Sequence, residues 1–320
     1  MRDYRFSKYL YRPKRKKKRK LFIILFILFL LGGGFFYSVF FLNVYTVYSR
    51  MVEFYRLWFN DYTFLERNLE SGNYNIVVHE GVPYLEKKPN NARILRYMGE
   101  AYYYISSSLT GTEKEESINR AILYLRKGIV LSNFDDMLTK SIYILGMSYF
   151  KKGPLYYELA TEYLERALEE GYEDEQVYEI MGYCYYRLSV LDEAVKYLEK
   201  AIAVSDKDVG HLFMAYAYKD KGMYQSAVRE FTLLINRSSD HAILEEAYAA
   251  LAWIDFHEER YDRARDYLYN VLELNERSAN AYFWLGNIHE KEGDIVSARK
   301  EWRRALSIDP KHIGAIEKLY

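Results

Sequence analysis

Seven stretches of this chain align on a single ladder of small and aromatic residues about 34 positions apart, and few patterns restrict a fold so tightly. The clearest copy runs from Ala279 to His312 and carries Tyr282, Leu285, Gly286, Gly293, Ile295, Ala298, Trp302, Ala305 and Pro310. One period earlier the same register holds Tyr248, Leu251, Ala252, Tyr261, Ala264, Leu268 and Val271. Places four, seven and eleven of each unit share one helical stripe, and places twenty, twenty-four and twenty-seven form a second. Each unit therefore reads as two antiparallel helices. A small residue at the eighth place (Gly99, Gly146, Gly182, Ala215, Ala252, Gly286) and another near the twentieth (Ala194, Ala227, Ala264, Ala298) lets the two backbones approach. A bulky side chain there would overpack the contact at a cost of roughly 1–3 kcal/mol.

The first unit, from Trp58 to Asn91, is degenerate but keeps Gly72, Tyr74 and Pro89 in register. The second starts near Ala92, and its helices are separated by an enlarged loop over Ser106 to Glu116. The third runs from Thr139, where Pro154 and two extra residues displace the second helix to Ala160. The fourth and fifth begin at Glu175 and Asp208, and a long connection around Ser238 to His241 leads to the sixth at Glu245. Insertions fall between helices, where a stack of repeats accepts them. Residues 58–312 thus form the repeat region, and residues 313–320 begin one more helix, a partial cap.

The formal charge of the 320 residues is zero, but that sum hides a separation. Residues 1–20 hold eleven Lys or Arg against one Asp, leaving 34 basic and 44 acidic groups for the rest. Leu21 to Leu42 then carries no charge and is rich in Leu, Ile and Phe. As a helix it would reach about 33 Å, enough to cross a bilayer. With the basic tail on one flank, the positive-inside rule predicts a cytoplasmic N-terminus, a signal anchor over 21–42, a helical connector over 43–57, and repeats on the extracytoplasmic side of the inner membrane. Tyr45, Tyr48 and Tyr55 follow where an interfacial aromatic belt would sit. A cleaved signal peptide ending near Gly32–Gly34 is the competing reading, opposed by the apolar sequence that continues through Phe41. Gly34 and Ser38 offer a small-xxx-small face through which the span could self-associate.

The recurrence resembles the tetratricopeptide repeat, with its W-x2-L-G-x2-Y, A-x3-F and A…P signature, over residues 58–312. That resemblance implies an all-α, right-handed helical solenoid of about seven helix pairs, here preceded by one transmembrane helix. It also implies a concave face, lined by the first helix of each pair, that holds a peptide or helix of another protein. By register, the groove residues are Arg93, Arg96, Tyr103, Lys140, Tyr143, Met147, Tyr183, Tyr186, Leu212, Tyr216, Trp253, Phe256, Phe283 and Asn287. Tyr183, Tyr216, Trp253 and Phe256 are expected to grip an apolar segment, and Arg93, Arg96 and Lys140 to meet acidic groups. The opposing expectation is that many of these aromatics simply pack between neighbouring helices. The carboxylate clamp of the chaperone-binding members of the family is not satisfied by any three successive units, which argues against a chaperone tail as ligand.

Enzyme chemistry finds little support. The histidines His79, His211, His241, His257, His289 and His312 are scattered, and neither His257–Glu258 nor His289–Glu290 extends into a zinc-protease motif. No metal or cofactor is expected. The single cysteine, Cys184, reads as a packed core thiol. The acidic repeat region would repel phosphates, so no nucleic-acid partner is expected. The expected function is a membrane-anchored scaffold that recruits or assembles proteins. Its architecture is similar to that of the periplasmic flagellar-motor collar proteins of spirochaetes; an accessory of the secretion translocon or of envelope assembly is the alternative.

Overall fold

A computed structural model describes residues 62–132, 137–172 and 174–320, together with Tyr48 and Met51. The basic tail over 1–20, the span over 21–42 and, Tyr48 and Met51 apart, the connector over 43–57 lie outside the described residues. Among the described residues, no helix is long and apolar enough to cross a membrane.

The chain divides into two compact units, Met1–Arg67 and Asn68–Tyr320. In the first, Tyr62 precedes helix α1 (Thr63–Glu70), in which Leu65 is fully buried. The second continues with α2 (Tyr74–Lys87), α3 (Ala92–Ile105), α4 (Gly111–Val130), α5 (Leu138–Lys152), α6 (Tyr157–Glu169), α7 (Glu175–Arg187) and α8 (Leu191–Val204). It ends with α9 (Asp208–Asp220), α10 (Tyr224–Arg237), α11 (His241–His257), α12 (Tyr261–Leu274), α13 (Ala279–Lys291), α14 (Ile295–Ile308) and α15 (Ile313–Leu319). Among the described residues there are fifteen α-helices and no strand.

From α3 onward the helices pair as hairpins, α3 with α4 through α13 with α14, and each second helix packs on the first helix of the next pair. First helices also meet directly: α3 on α5, α7 on α9, α9 on α11, and α11 on α13. Each pair packs chiefly on its neighbours, so the second unit is an all-helical solenoid.

The small eighth place is where the two helices of a pair come closest. A Cβ added at Gly182 would lie 2.5 Å from Leu198 Cγ, at Gly146 2.8 Å from Leu164 Cγ, and at Gly99 2.6 Å from Leu125 Cγ. At Gly286 it would lie 2.5 Å from the indole of Trp302. Ala194, Ala227, Ala264 and Ala298, from the other side of the seam, are fully buried.

The turn inside each hairpin also keeps register. Place fifteen adopts the left-handed backbone at Gly72, Gly153, Ser189, Gly222, Glu259 and Gly293. At Glu259 the turn is closed by Glu259 N–H donating to Phe256 O and Arg260 N–H donating to Asp255 O, a Schellman-type stop. Ser189 and Glu259 hold this conformation with a Cβ, which costs about 1–2 kcal/mol relative to glycine.

Three boundaries differ from expectation, the first being α6, which starts at Tyr157 rather than Ala160. Gly111–Glu116, read as loop, is the first part of α4, whose early acidic residues, Glu113 among them, favour a helix N-terminus. Helix α11 starts at His241 rather than Glu245, because the Asp240 carboxylate accepts from Ala242 N–H at 2.8 Å and caps it a turn earlier.

Two substitutions of opposite sign test this seam. Ser189→Gly should raise the unfolding free energy by about 1 kcal/mol. Gly182→Leu should lower it by about 3 kcal/mol or more. Urea denaturation followed by circular dichroism measures both.

Candidate functional site

The exposed edges of the first helices carry a chain of aromatic rings. From α5 to α9 it passes from Phe150 to Tyr183 at 6.0 Å between centroids, from Tyr183 to Phe213 at 4.7 Å, and from Phe213 to Tyr186 at 5.9 Å. Tyr186 then stacks near Tyr216 at 6.3 Å. A second run joins Phe256 of α11 to Trp284 of α13 at 5.0 Å, then Phe283 at 5.4 Å, then the His312 ring at 4.8 Å. Between the two lies Trp253, whose ring has Lys219 Nζ 4.8 Å from its centroid and the His257 ring at 3.8 Å. Apart from the exposed His257, these rings are half-buried: part of each packs on a neighbour while part meets solvent.

Hydroxyls tie the rings to the next helix. Tyr216 Oη donates to Glu246 Oε2 at 2.7 Å, and Tyr186 Oη donates to Asp220 Oδ2 at 3.2 Å. Burial first, then the Asp220 charge, pushes the Tyr186 phenol up to about 12. Burial and Glu246 raise that of Tyr216 as well. The Tyr186 and Tyr216 phenols therefore stay neutral donors near neutral pH.

Several expected groove residues sit elsewhere. Arg96 is 1% exposed, with the backbone of Gly128 against its stem, so it is no free cation. Asn287 is buried between α13 and α14, where its Oδ1 accepts from Trp302 Nε1 at 3.1 Å. Leu212 and Met147 are core residues. Tyr143 is buried and stacks on Tyr172 at 4.4 Å, and Tyr103 is buried with Lys151 Nζ 3.9 Å from its ring centroid. Of the three expected cations only Arg93 is exposed. Lys140 is engaged by Glu100, a buried carboxylate. The structure thus brings Tyr183, Tyr186, Tyr216, Trp253 and Phe256 onto the half-exposed face, with Phe283 further along it.

Phe150, Phe213 and Trp284 complete the two runs and were absent from the register list. Phe213 and Trp284 occupy the sixth place of their units, where they meet Tyr183 and Phe256 of the preceding first helix. The available signal was an aromatic at that sixth place one unit after an aromatic at the ninth or twelfth. Cys184 is fully buried, and burial pushes its thiol up to about 12, which makes it unreactive at neutral pH.

Comparison with known proteins accords with this geometry. The tetratricopeptide-repeat family profile matches residues 175–208 and 279–312, the fourth and seventh units. The chain carries tetratricopeptide repeats. A TPR repeat-containing protein of Methanocaldococcus jannaschii is 26% identical over 186 residues, covering 57% of this chain and 30% of that relative. The chain therefore spans less than a third of the curated relative it matches. Among solved structures, the C-terminal part of a TPR repeat-containing protein from Cytophaga hutchinsonii superposes with a TM-score of 0.58 at 18% identity, covering 81% of this chain and 100% of that one. The apo quorum sensor NprR from B. thuringiensis gives 0.59 at 14%, covering 81% of this chain and 80% of that one. These likenesses establish the fold. Proteins built from such repeats generally mediate protein–protein interaction, and the fold is typically a non-catalytic scaffold. Among the described residues, no cluster of three or more His, Cys, Asp or Glu could hold a metal ion.

The Glu100–Lys140 pair makes a pH-dependent prediction. Burial raises the Glu100 carboxyl above its ordinary value, and the hydrogen bond and charge of Lys140 pull it partly back. A raised folded-state value means that the folded protein binds this proton more tightly, so stability declines as pH rises from the unfolded value to the folded one. Lys140→Met removes the restraint and steepens that decline. The variant should be less stable by about 1–3 kcal/mol at neutral pH, and the deficit should shrink towards about pH 4, where Glu100 is protonated. Urea titrations across this range measure it.

Proposed function

We propose that this protein is a membrane-tethered scaffold whose half-exposed aromatic face holds a protein partner. The observation that carries the reading is the continuity of the rings from Phe150 to Tyr216 across three successive first helices, each ring fixed by a neighbour. Aromatic residues give large contact area with few rotors to freeze, which is why they are enriched among binding hot spots. Support for the tether is the sequence of residues 1–42: eleven basic groups, then twenty-two uncharged residues from Leu21 to Leu42. On that reading the repeats work at the extracytoplasmic face of the inner membrane. A flagellar-motor collar and a translocon or envelope-assembly accessory would share this surface and topology; the identity of the captured protein separates them.

In-cell crosslinking followed by identification of the captured proteins is the test. Trp253→Ala and Tyr216→Ala should each cut capture of a specific partner by roughly tenfold while leaving helicity intact. Unchanged capture at unchanged helicity removes the groove. The topology is tested separately by adding protease to spheroplasts. The repeats should be cleaved from outside, and their protection would overturn the periplasmic placement.

A further inference from the structure

Between the first helices of the third, fourth and fifth units lies a cleft of about 260 Å³. Its walls include Phe150 of α5, Tyr157 of α6, Glu179, Ile180 and Tyr183 of α7 and Phe213 of α9. We infer that this cleft seats one bulky apolar side chain from a segment of the partner that is basic, with a Lys or Arg beside the anchor meeting Glu179. The inference rests on the groove reading above and specifies the chemistry of what the groove takes.

Size points to a side chain. Small-molecule sites usually run from roughly 300 to 1,000 Å³ and enclose their ligand, whereas this cleft is smaller and open along one side. Its rings are already fixed against one another. Tyr183 stands edge-on to Phe150 at 87°, to Tyr157 at 72° and to Phe213 at 73°. An apolar group entering the cleft therefore finds formed walls and freezes few rotors.

Charge sets the sign of what flanks the anchor. Glu179 is the one charged residue on the wall. Its present partner, Lys207, is 3.4 Å away and its side chain is 49% exposed, a solvent-screened ion pair easily exchanged for a ligand cation. Asp174 and Glu175, at the start of α7, lie on the same end of that helix as Glu179. Arg187, a turn beyond Tyr183 on α7, donates to its hydroxyl at 2.9 Å, which places the cation of an incoming segment at the Glu179 end. Residues 62–320 carry 32 Lys and Arg against 42 Asp and Glu, so the whole region attracts a basic partner and repels an acidic one.

The test is selection from a random-peptide display library on the full-length protein in detergent, followed by anisotropy with the enriched peptides. A bulky apolar residue next to Lys or Arg should be enriched. Binding should weaken at least about tenfold in Phe213→Ala and in Glu179→Lys, the latter at a partly exposed site where folding is not at stake. Enrichment of acidic sequences, absence of any enriched sequence, or binding indifferent to both substitutions overturns the inference. Peptides lost on Trp253→Ala but retained by Phe213→Ala and Glu179→Lys would sink the cleft while leaving the groove reading in place. Self-association of the protein abolished by Phe213→Ala would assign the cleft to a second copy and likewise overturn it.

Discussion

The structure depends on one repeated contact, in which a residue with little or no side chain on the first helix of a pair accepts a large one from the second. Gly182 takes Leu198, Gly146 takes Leu164, and Gly286 takes the indole of Trp302, each at a separation a Cβ could not share. Where the eighth place is alanine, as at Ala215 and Ala252, the residue is again buried, and so are Phe231 and Leu268 at the corresponding twenty-fourth places. The exchange of volume across the seam fixes how close the helices lie. A solenoid has no distant strand or helix to correct an error in one hairpin, and the contact recurs in each unit from the second to the seventh, the degenerate first unit holding Leu65 at its eighth place.

With the seam filled by small residues on one side and aliphatic or aromatic ones on the other, the remaining edge of each first helix is left for contacts with the next unit. Tyrosine suits that place because its ring can pack against a neighbouring first helix while its hydroxyl reaches a carboxylate there. Tyr216 with Glu246 and Tyr186 with Asp220 both do this. The second and third units use the same edge differently. There Tyr103, Tyr143 and Met147 are buried and Lys140 is committed to Glu100, so the surface is closed where the fourth to sixth units leave it half-open.

What was legible in the sequence follows this division. From the second unit on, the eighth and twentieth places could be read directly because Gly or Ala recurs there at the closest approach of the paired helices, and helices α7, α9 and α13 start at the residues the register names, Glu175, Asp208 and Ala279. Boundaries set by single polar groups were harder. The Asp240 cap that opens α11 early is one side chain in a stretch that otherwise resembles a connection. Groove assignments failed where a residue at a nominally open place found a partner inside the fold, as Asn287 did with Trp302. Register gives the direction of a side chain from its own helix, but whether that direction is free depends on the neighbouring helix. Phe213 and Trp284 were missed for the converse reason: their place faces the preceding unit rather than the axis of their own.

The aromatic contacts between units bear on the choice between structural packing and binding, because here the two are compatible. A ring that packs on one face and meets solvent on the other contributes to the junction between repeats and is immobilised by it. Tyr183 has Phe150, Tyr157 and Phe213 around it, and Trp253 is flanked by Lys219, His257 and Tyr224. The entropy of fixing such rings is met when the solenoid folds and is not charged again on association, which leaves more of the contact energy for affinity. A surface of this kind holds its shape in the absence of a partner. A partner that fits it binds without reordering the helices beneath, and substitutions in the rings therefore act on the junction and on the partner together.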